Sequence, residues 1–187
     1  MSANRPRARA ALLFVVALLT GAVFGAVGTA GQRCTTTRRL IIHESQYEEV
    51  KKVLANAYKQ LRIGDPLDPS IHVGPLIDTA AVENYQHAIS EIKKAGGKFV
   101  VEGGVLSGPG YESGCYVKPC IAEVENHWDI VQHETFAPIL YLIKYKTIEE
   151  AVALQNAVPQ GLSSAIMTTN LREAERFLSA AGSDCGI

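Results

Sequence analysis

The chain has 187 residues, which is enough for one domain with a sizeable core and too few for two full domains. Its 18 lysines and arginines against 19 aspartates and glutamates leave a net charge of −1, which argues against a protein that binds nucleic acid or another polyanion. Hydrophobic residues make up 47% of the sequence, and the cysteines number four. Neither a disordered chain nor a disulfide-stapled mini-protein is therefore expected.

The first thirty residues differ from the rest of the chain. Arginines at positions 5, 7 and 9 precede an uncharged run from Ala10 to Gln32. A basic lead followed by an apolar stretch over residues 5–30 is typical of a signal peptide, and the run is long enough, at about 20 residues, to cross a bilayer. A buried core helix is the third interpretation. Cleavage after Ala30 would leave Cys34 four residues from a new N-terminus. If Cys34 acts as a nucleophile, as its surroundings in the sequence suggest, the end of a chain is a poor place to hold it rigidly.

Strand-like and helix-like segments alternate from residue 38 onward. Apolar spacing and turn residues predict a strand at Arg38–Ile42, a helix over Tyr47–Leu61, a helix capped by Asp78 and ended by Gly96-Gly97, a strand at Lys98–Val101 and a loop over Gly103–Gly114.

The second half continues the alternation. The patterns predict extended chain over 115–124, a strand at Ile139–Lys144, a helix opened by a Thr147–Glu150 capping box, a strand at Ser163–Met167 and a last helix capped by Asn170 with Glu173. Strands alternating with helices predict an α/β fold with a largely parallel sheet and flanking helices. The last five residues resemble the start of a further strand with no polar tail after them, so we expect a chain that is cut at this end.

Cys34 is the first candidate for chemistry. It follows a run of small residues and stands beside Arg33, whose charge favours the nucleophilic thiolate. The alternative is a buried, inert cysteine.

The segment from His133 to Pro138 is the second candidate, because a carboxylate at Glu134 near the ring of Phe136 suits a sugar diol beside a flat ligand. A solvated turn carboxylate and a core phenylalanine form the alternative. Cys115 and Cys120 lack the second ligand pair that a metal site needs, and the five histidines are dispersed, so no metal site is predicted.

Several ordered motifs, taken together, resemble the aldehyde dehydrogenase superfamily. The shared motifs are Gly31-Gln32-Arg33-Cys34, Gly64-Asp65-Pro66, Gly74-Pro75-Leu76, Glu134-Thr135-Phe136-Ala137-Pro138 and Gly161-Leu162-Ser163-Ser164. The sequence of residues 28–40 and 182–187 resembles most closely that of the antiquitin branch, the α-aminoadipic semialdehyde dehydrogenases. The resemblance divides the chain into an apolar segment of uncertain origin, 1–23, and a partial catalytic domain, 24–187.

The resemblance implies NAD as cofactor, an aldehyde as substrate and roles for four residues. Cys34 would be the nucleophile, and its backbone N–H would donate to the developing oxyanion. Glu134 would bind the nicotinamide ribose hydroxyls, and Phe136 would lie beside the nicotinamide. Arg33 would pair with the carboxylate of an amino-acid semialdehyde, a task that suits a planar bidentate donor.

The resemblance also implies parts that this sequence does not contain. These are the dinucleotide-binding domain, the glutamate that acts as general base, the asparagine of the oxyanion hole and the segment that joins subunits into a homo-oligomer. We therefore expect the isolated chain to be inactive and poorly soluble. The alternative is a truncated paralogue that acts as an interaction or remnant protein, either free or tethered to a membrane by its apolar N-terminus. The family implies a cytoplasmic or mitochondrial location, whereas residues 5–30 favour a secretory one.

Overall fold

The computed structural model describes residues 19–187. The strands are β1 (Arg39–His43), β2 (Lys98–Val101), β3 (Gly104–Val105), β4 (Val117–Lys118), β5 (Cys120–Glu123) and β6 (Ile139–Tyr145). The helices are α1 (19–27), α2 (Tyr47–Tyr58), α3 (Thr79–Lys94), α4 (Asp129–Gln132), α5 (Ile148–Asn156) and α6 (Leu171–Leu178), with a 3-10 turn at Gly28–Gly31.

A four-stranded sheet in the order β1-β6-β5-β2 forms the centre of the molecule. Strand β6 pairs in parallel with β1 on one side and with β5 on the other, and β2 adds an antiparallel edge. The first five residues of β6, Ile-Leu-Tyr-Leu-Ile, are all buried. Such a continuous apolar run is what a strand covered on both faces requires. A separate two-stranded ribbon joins β3 to β4.

The two long helices pack through one apolar stripe each. Helix α2 buries Tyr47, Val50, Leu54 and Tyr58, and α3 buries Val82, Tyr85, Ala88 and Ile92. These positions recur every three or four residues, so each set lies on one helical face. The expected side-chain caps are present, because Asp78, Thr147 and Asn170 accept backbone N–H bonds at the starts of α3, α5 and α6.

The predicted α/β class and mostly parallel sheet are confirmed, with two corrections. The predicted strand at Ser163–Met167 is wrong, because in this segment only Ser163 forms a bridge, to Gly186. Extended chain becomes a strand only when a neighbouring strand takes up its hydrogen bonds. The predicted loop at Gly103–Gly114 is also wrong in part, because Gly104–Val105 pairs with β4. The one-turn helix α4 was not predicted.

Helix α1 buries Ala22, Ala26 and Val27 in the main core. Among residues 19–187, no helix combines the length and the hydropathy needed to cross a membrane. Most of the segment that resembles a signal peptide or anchor lies in residues 1–18, outside the described part of the chain. The division of the chain at residue 23 stays a prediction.

Candidate active site

A left-handed turn connects α1 to the segment that carries Cys34. Thr29, Ala30 and Gly31 have φ values of 56°, 53° and 70° in succession. Left-handed backbone costs a residue with a side chain roughly 1–2 kcal/mol, and it is unusual for a β-branched residue such as threonine. Helix α1 precedes this turn and strand β1 of the sheet follows it, so both ends are held in place. The strained turn therefore determines the direction of the backbone over residues 32–35, which include Cys34.

Cys34 lies at the tip of a second tight turn, formed by residues 33–36. The backbone N–H of Thr36 donates to the Arg33 carbonyl at 3.1 Å, and the Arg33 N–H donates to Thr36 Oγ1 at 3.1 Å. Thr36 is buried, whereas Cys34 is exposed. Among the described residues, the Cys34 backbone N–H has no hydrogen-bond partner. The turn therefore presents a thiol and a free N–H donor from the same residue.

Cys34 and Glu134 line one cavity of about 800 Å³. The cavity is lined by the chain that runs from Cys34 into β1, by residues of α5, and by the segment 158–167, which contains the Gly161-Leu162-Ser163-Ser164 motif. The fold thus brings together two of the predicted site residues that are 100 positions apart in the sequence. Neither of these side chains belongs to the buried core.

Arg38 connects the Cys34 turn to the loop that carries Glu134 and Phe136. Its guanidinium donates to Glu134 Oε1 at 3.1 Å, to the Thr135 carbonyl, and to the Arg33 carbonyl at 3.4 Å. Its carbon Cζ also lies 5.1 Å from the centre of the Phe136 ring, a cation–π distance. Burial lowers the pKa of Arg38, while the charges of Glu134 and Cys34 act in the opposite direction. The side chain is thus a partly buried cation fixed from several sides.

Gln32 provides a second connection, on the other side of the Cys34 turn. Its Nε2 donates to the carbonyls of Thr29 at 3.2 Å and Pro75 at 3.3 Å, and its Oε1 accepts from the Ile77 N–H at 2.9 Å. Gln32 lines a second cavity, of about 690 Å³, with Phe136 and residues from the Gly64-Asp65-Pro66 and Gly74-Pro75-Leu76 motifs. The motifs that are separated along the sequence thus converge around the Cys34 turn.

Arg33 lies against α1, outside the walls of both cavities. Its Nε donates to Thr29 Oγ1 at 2.7 Å, and its Cζ lies 5.2 Å from the centre of the exposed Phe24 ring. In the part of the chain that the structure covers, the two terminal nitrogens of Arg33 have no hydrogen-bond partner. The substrate-binding role of Arg33 stays a prediction.

The other three cysteines differ from Cys34 in their surroundings. Cys120 is completely buried, and burial raises the pKa of its thiol to about 12. Cys115 and Cys185 are half-buried and bonded to neighbouring polar groups. Within residues 19–187, no three histidine, cysteine or acidic side chains cluster closely enough to hold a metal ion.

Sequence reasoning missed the roles of Arg38, Gln32 and Thr36. The adjacent pair Arg38-Arg39, at the entry to a buried strand, was the available signal, because charged groups in such positions need partners. Nothing local identified those partners, since Glu134 and Phe136 lie almost 100 residues away.

Comparisons with known proteins identify the family to which the chain belongs. The sequence model of the aldehyde dehydrogenase family matches residues 15–187. The chain is 50% identical over 164 residues to aldehyde dehydrogenase family 7 member A1 of Pisum sativum, covering 88% of this chain and 32% of that protein. It is also 50% identical over 171 residues to α-aminoadipic semialdehyde dehydrogenase of Rattus norvegicus, covering 91% and 31%. The resemblance to this branch is therefore confirmed.

Solved structures share the fold as well. A 3,6-anhydro-L-galactose dehydrogenase in complex with NAP superposes with a TM-score of 0.84 at 25% identity, covering 92% of this chain and 36% of that one. The chain spans about a third of the length of the curated relatives it matches. The chain belongs to the aldehyde dehydrogenase family.

Proposed function

We propose that this chain is the nucleophile-bearing part of an NAD-dependent dehydrogenase that oxidises an amino-acid semialdehyde, such as α-aminoadipic semialdehyde, to a carboxylate. The observation that supports this most strongly is the exposed thiol of Cys34, held at the tip of a tight turn in the wall of the cavity that also contains Glu134. The 50% identity to a relative of that name supports the substrate class.

Cys34 performs the covalent step of this proposal. Its thiolate sulfur attacks the aldehyde carbon, a C–S bond forms, and the carbonyl electron pair moves onto oxygen. The unpaired Cys34 N–H donates to that oxyanion, a contact that grows stronger as the charge develops. Loss of hydride from the carbon then gives a thioester on Cys34, and water releases the carboxylate and restores the thiol.

Two residues of the loop suit the nicotinamide riboside of NAD, which, when bound, would supply the hydride acceptor. The second carboxylate oxygen of Glu134 has no hydrogen-bond partner among the described residues, which leaves it free to accept from a ribose hydroxyl. The Phe136 ring is 44% exposed, although it is a large apolar group, and offers a flat surface at the second cavity. An open carboxylate oxygen and an open aromatic face are the two groups that this part of the cofactor needs.

Arg33 is the proposed contact for the substrate's own carboxylate. Thr29 Oγ1 and the Phe24 ring hold its inner part, while both terminal nitrogens stay open. A guanidinium fixed in this way loses little rotational freedom when it binds a carboxylate through two parallel bonds.

We expect the 187-residue chain by itself to stop at the covalent step. Within the described residues, Glu134 is the only carboxylate in the wall of the Cys34 cavity, and one of its oxygens already accepts from Arg38. A second group that activates water for thioester hydrolysis is needed for turnover.

Protection of Cys34 from alkylation tests the proposal. The purified chain is treated with iodoacetamide with and without an amino-acid semialdehyde, and the labelled cysteines are identified by intact mass and peptide mapping. We expect the aldehyde to slow labelling of Cys34 and to leave labelling of Cys115 and Cys185, the internal controls, unchanged. Equal slowing at all three thiols, or none at Cys34, would overturn the proposed nucleophile.

NADH formation is followed in the same samples and in a Cys34→Ala variant. We expect no NADH from the 187-residue chain. Turnover that disappears in Cys34→Ala would confirm the activity and overturn the expectation that this chain stops at the covalent step.

A further inference from the structure

Arg38 and Arg39 are neighbours of equal charge and similar burial, yet they bond to different parts of the molecule. Arg39 donates to Asn126 Oδ1 at 2.9 Å and to carbonyls of α5 at 2.7 and 3.0 Å, away from the Cys34 turn. Within the described residues, all the side-chain hydrogen bonds of Arg38 go to the Cys34 turn or to the loop carrying Glu134 and Phe136. Burial lowers the pKa of both guanidinium groups.

The loop that Arg38 contacts has little regular structure of its own. Between α4 and β6, its backbone bonds include the Ala137 N–H to the Thr135 carbonyl and the Ile139 N–H to the Ala137 carbonyl, both at 2.8 Å. Bonds that close such small rings fix single residues rather than a whole loop. The Glu134 side chain is 44% exposed, and the structure gives it no partner other than Arg38 within residues 19–187.

The bonding geometry of Arg38 suits a positioning role. A guanidinium is planar and carries five N–H donors, so it can donate to several acceptors in its plane while its face packs on an aromatic ring. Arg38 uses the plane for Glu134, Thr135 and Arg33, and its cation lies over Phe136. Because only Glu134 Oε1 is engaged, the second oxygen is oriented without being occupied.

We propose that Arg38 is a positioning residue that holds Glu134 and Phe136 in register with the Cys34 turn, so that the nicotinamide riboside meets a fixed carboxylate and a fixed ring. This inference rests on the proposed function for the identity of the ligand. The structural part of the proposal is that Arg38 connects the turn to the loop. That part depends only on the contacts of Arg38 and not on the identity of the ligand.

Amide hydrogen exchange on the 187-residue chain tests the structural connection between the turn and the loop, and it needs neither cofactor nor turnover. In Arg38→Met we expect the amides of residues 134–137 and 139 to exchange about tenfold faster, because charge-assisted bonds to the loop are lost. Arg39→Met is the matched control, and its faster exchange should appear in α5. Thermal melts of both variants identify general loss of stability. Unchanged exchange over 134–137 and 139 in Arg38→Met, or equal acceleration in Arg39→Met, would overturn the proposal.

Steady-state kinetics test the link to the cofactor in the native dehydrogenase that carries this sequence. In Arg38→Lys, which keeps the charge but loses the planar fork, we expect the KM for NAD⁺ to rise about tenfold while the KM for the aldehyde is unchanged. Arg39→Lys should change neither. Faster exchange of the loop with an unchanged KM for NAD⁺ would overturn the cofactor role. Failure of the proposed function itself is recognised separately, by the absence of aldehyde protection at Cys34.

Discussion

Gly31 lies directly against the backbone of Ala137. A Cβ atom built on Gly31 would approach the carbonyl carbon and oxygen of Ala137 to 2.5 Å, closer than such atoms can come. The left-handed turn before Cys34 and the loop before β6 are therefore packed backbone to backbone. Since Gly31 also has a φ of +70°, both steric room and conformation require glycine here.

Replacing Gly31 tests this contact. We expect Gly31→Ala to lower the free energy of unfolding by about 2–5 kcal/mol, because left-handed strain and overpacking add. The matched control is Gly96→Ala, which has a φ of +92° with nothing within 4 Å of the new Cβ and should cost only about 1–2 kcal/mol. Urea unfolding measures both variants. Equal losses would show that the contact with Ala137 contributes nothing.

The four cysteines should differ in their reaction with iodoacetamide in the folded chain. We expect Cys34 to react first, because it is exposed, and Cys115 and Cys185 to follow. Cys120 should react only after unfolding, because it is fully buried and its pKa is raised to about 12. Timed peptide mapping, repeated in urea, gives the order. Labelling of Cys120 as fast as that of Cys34 would contradict the burial of β5.

A pair of tyrosines tests the hydrogen bonding of the core. The Tyr58 hydroxyl is buried with no hydrogen-bond partner within residues 19–187, so Tyr58→Phe should leave stability unchanged or raise it by up to about 2 kcal/mol. The Tyr85 hydroxyl donates to the Lys118 carbonyl and accepts from the Gly104 N–H, so Tyr85→Phe should lower stability by about 1–3 kcal/mol. Denaturant midpoints compare the two. Destabilisation by Tyr58→Phe equal to that by Tyr85→Phe would reject this difference.

Stability should fall in alkaline solution. The pKa of Cys120 is about 12 in the fold, whereas a free thiol has a pKa of about 8.5. A raised pKa means that the folded state keeps a proton which the unfolded state loses, so this stabilising contribution is complete below about pH 8.5 and is lost as the pH rises towards 12. Burial also raises the pKa of Tyr58, Tyr85 and Tyr141, which act in the same direction.

The contribution of Cys120 can be separated with Cys120→Ala. Between pH 9 and 10 the free energy of unfolding of this variant should fall less steeply with pH than that of the wild type. The difference between the two slopes should correspond to nearly one proton released per molecule unfolded. Urea titrations at several pH values give the slopes, and the range from pH 6 to 7 serves as the control. Identical alkaline slopes would show that Cys120 does not titrate on unfolding.

Local signals predicted the helices well, and contacts between distant residues set the limit of sequence reasoning. The caps at Asp78 and Thr147 are bonds across three residues, so they can be read from a short stretch of sequence. The strand predicted at Ser163–Met167 depended on a neighbour that no local pattern reports. The meeting of Cys34 and Glu134 was anticipated through a family resemblance, whereas the bonds of Arg38 to residues nearly 100 positions away carry no local pattern at all.

The pairing of β1 with β6 has a consequence for the folding of the protein during its synthesis. Arg39 aligns with Tyr141, so the strand that β1 needs is synthesised about one hundred residues later. At about 5–20 residues per second, the ribosome takes roughly 5–20 s to produce it. During that interval Cys34 has emerged, but the cavity around it does not exist. A Cys34 thiol that is oxidised or alkylated during this interval is already modified when the fold is complete. The cell's reducing capacity during translation therefore affects the fraction of chains that fold with a free Cys34 thiol.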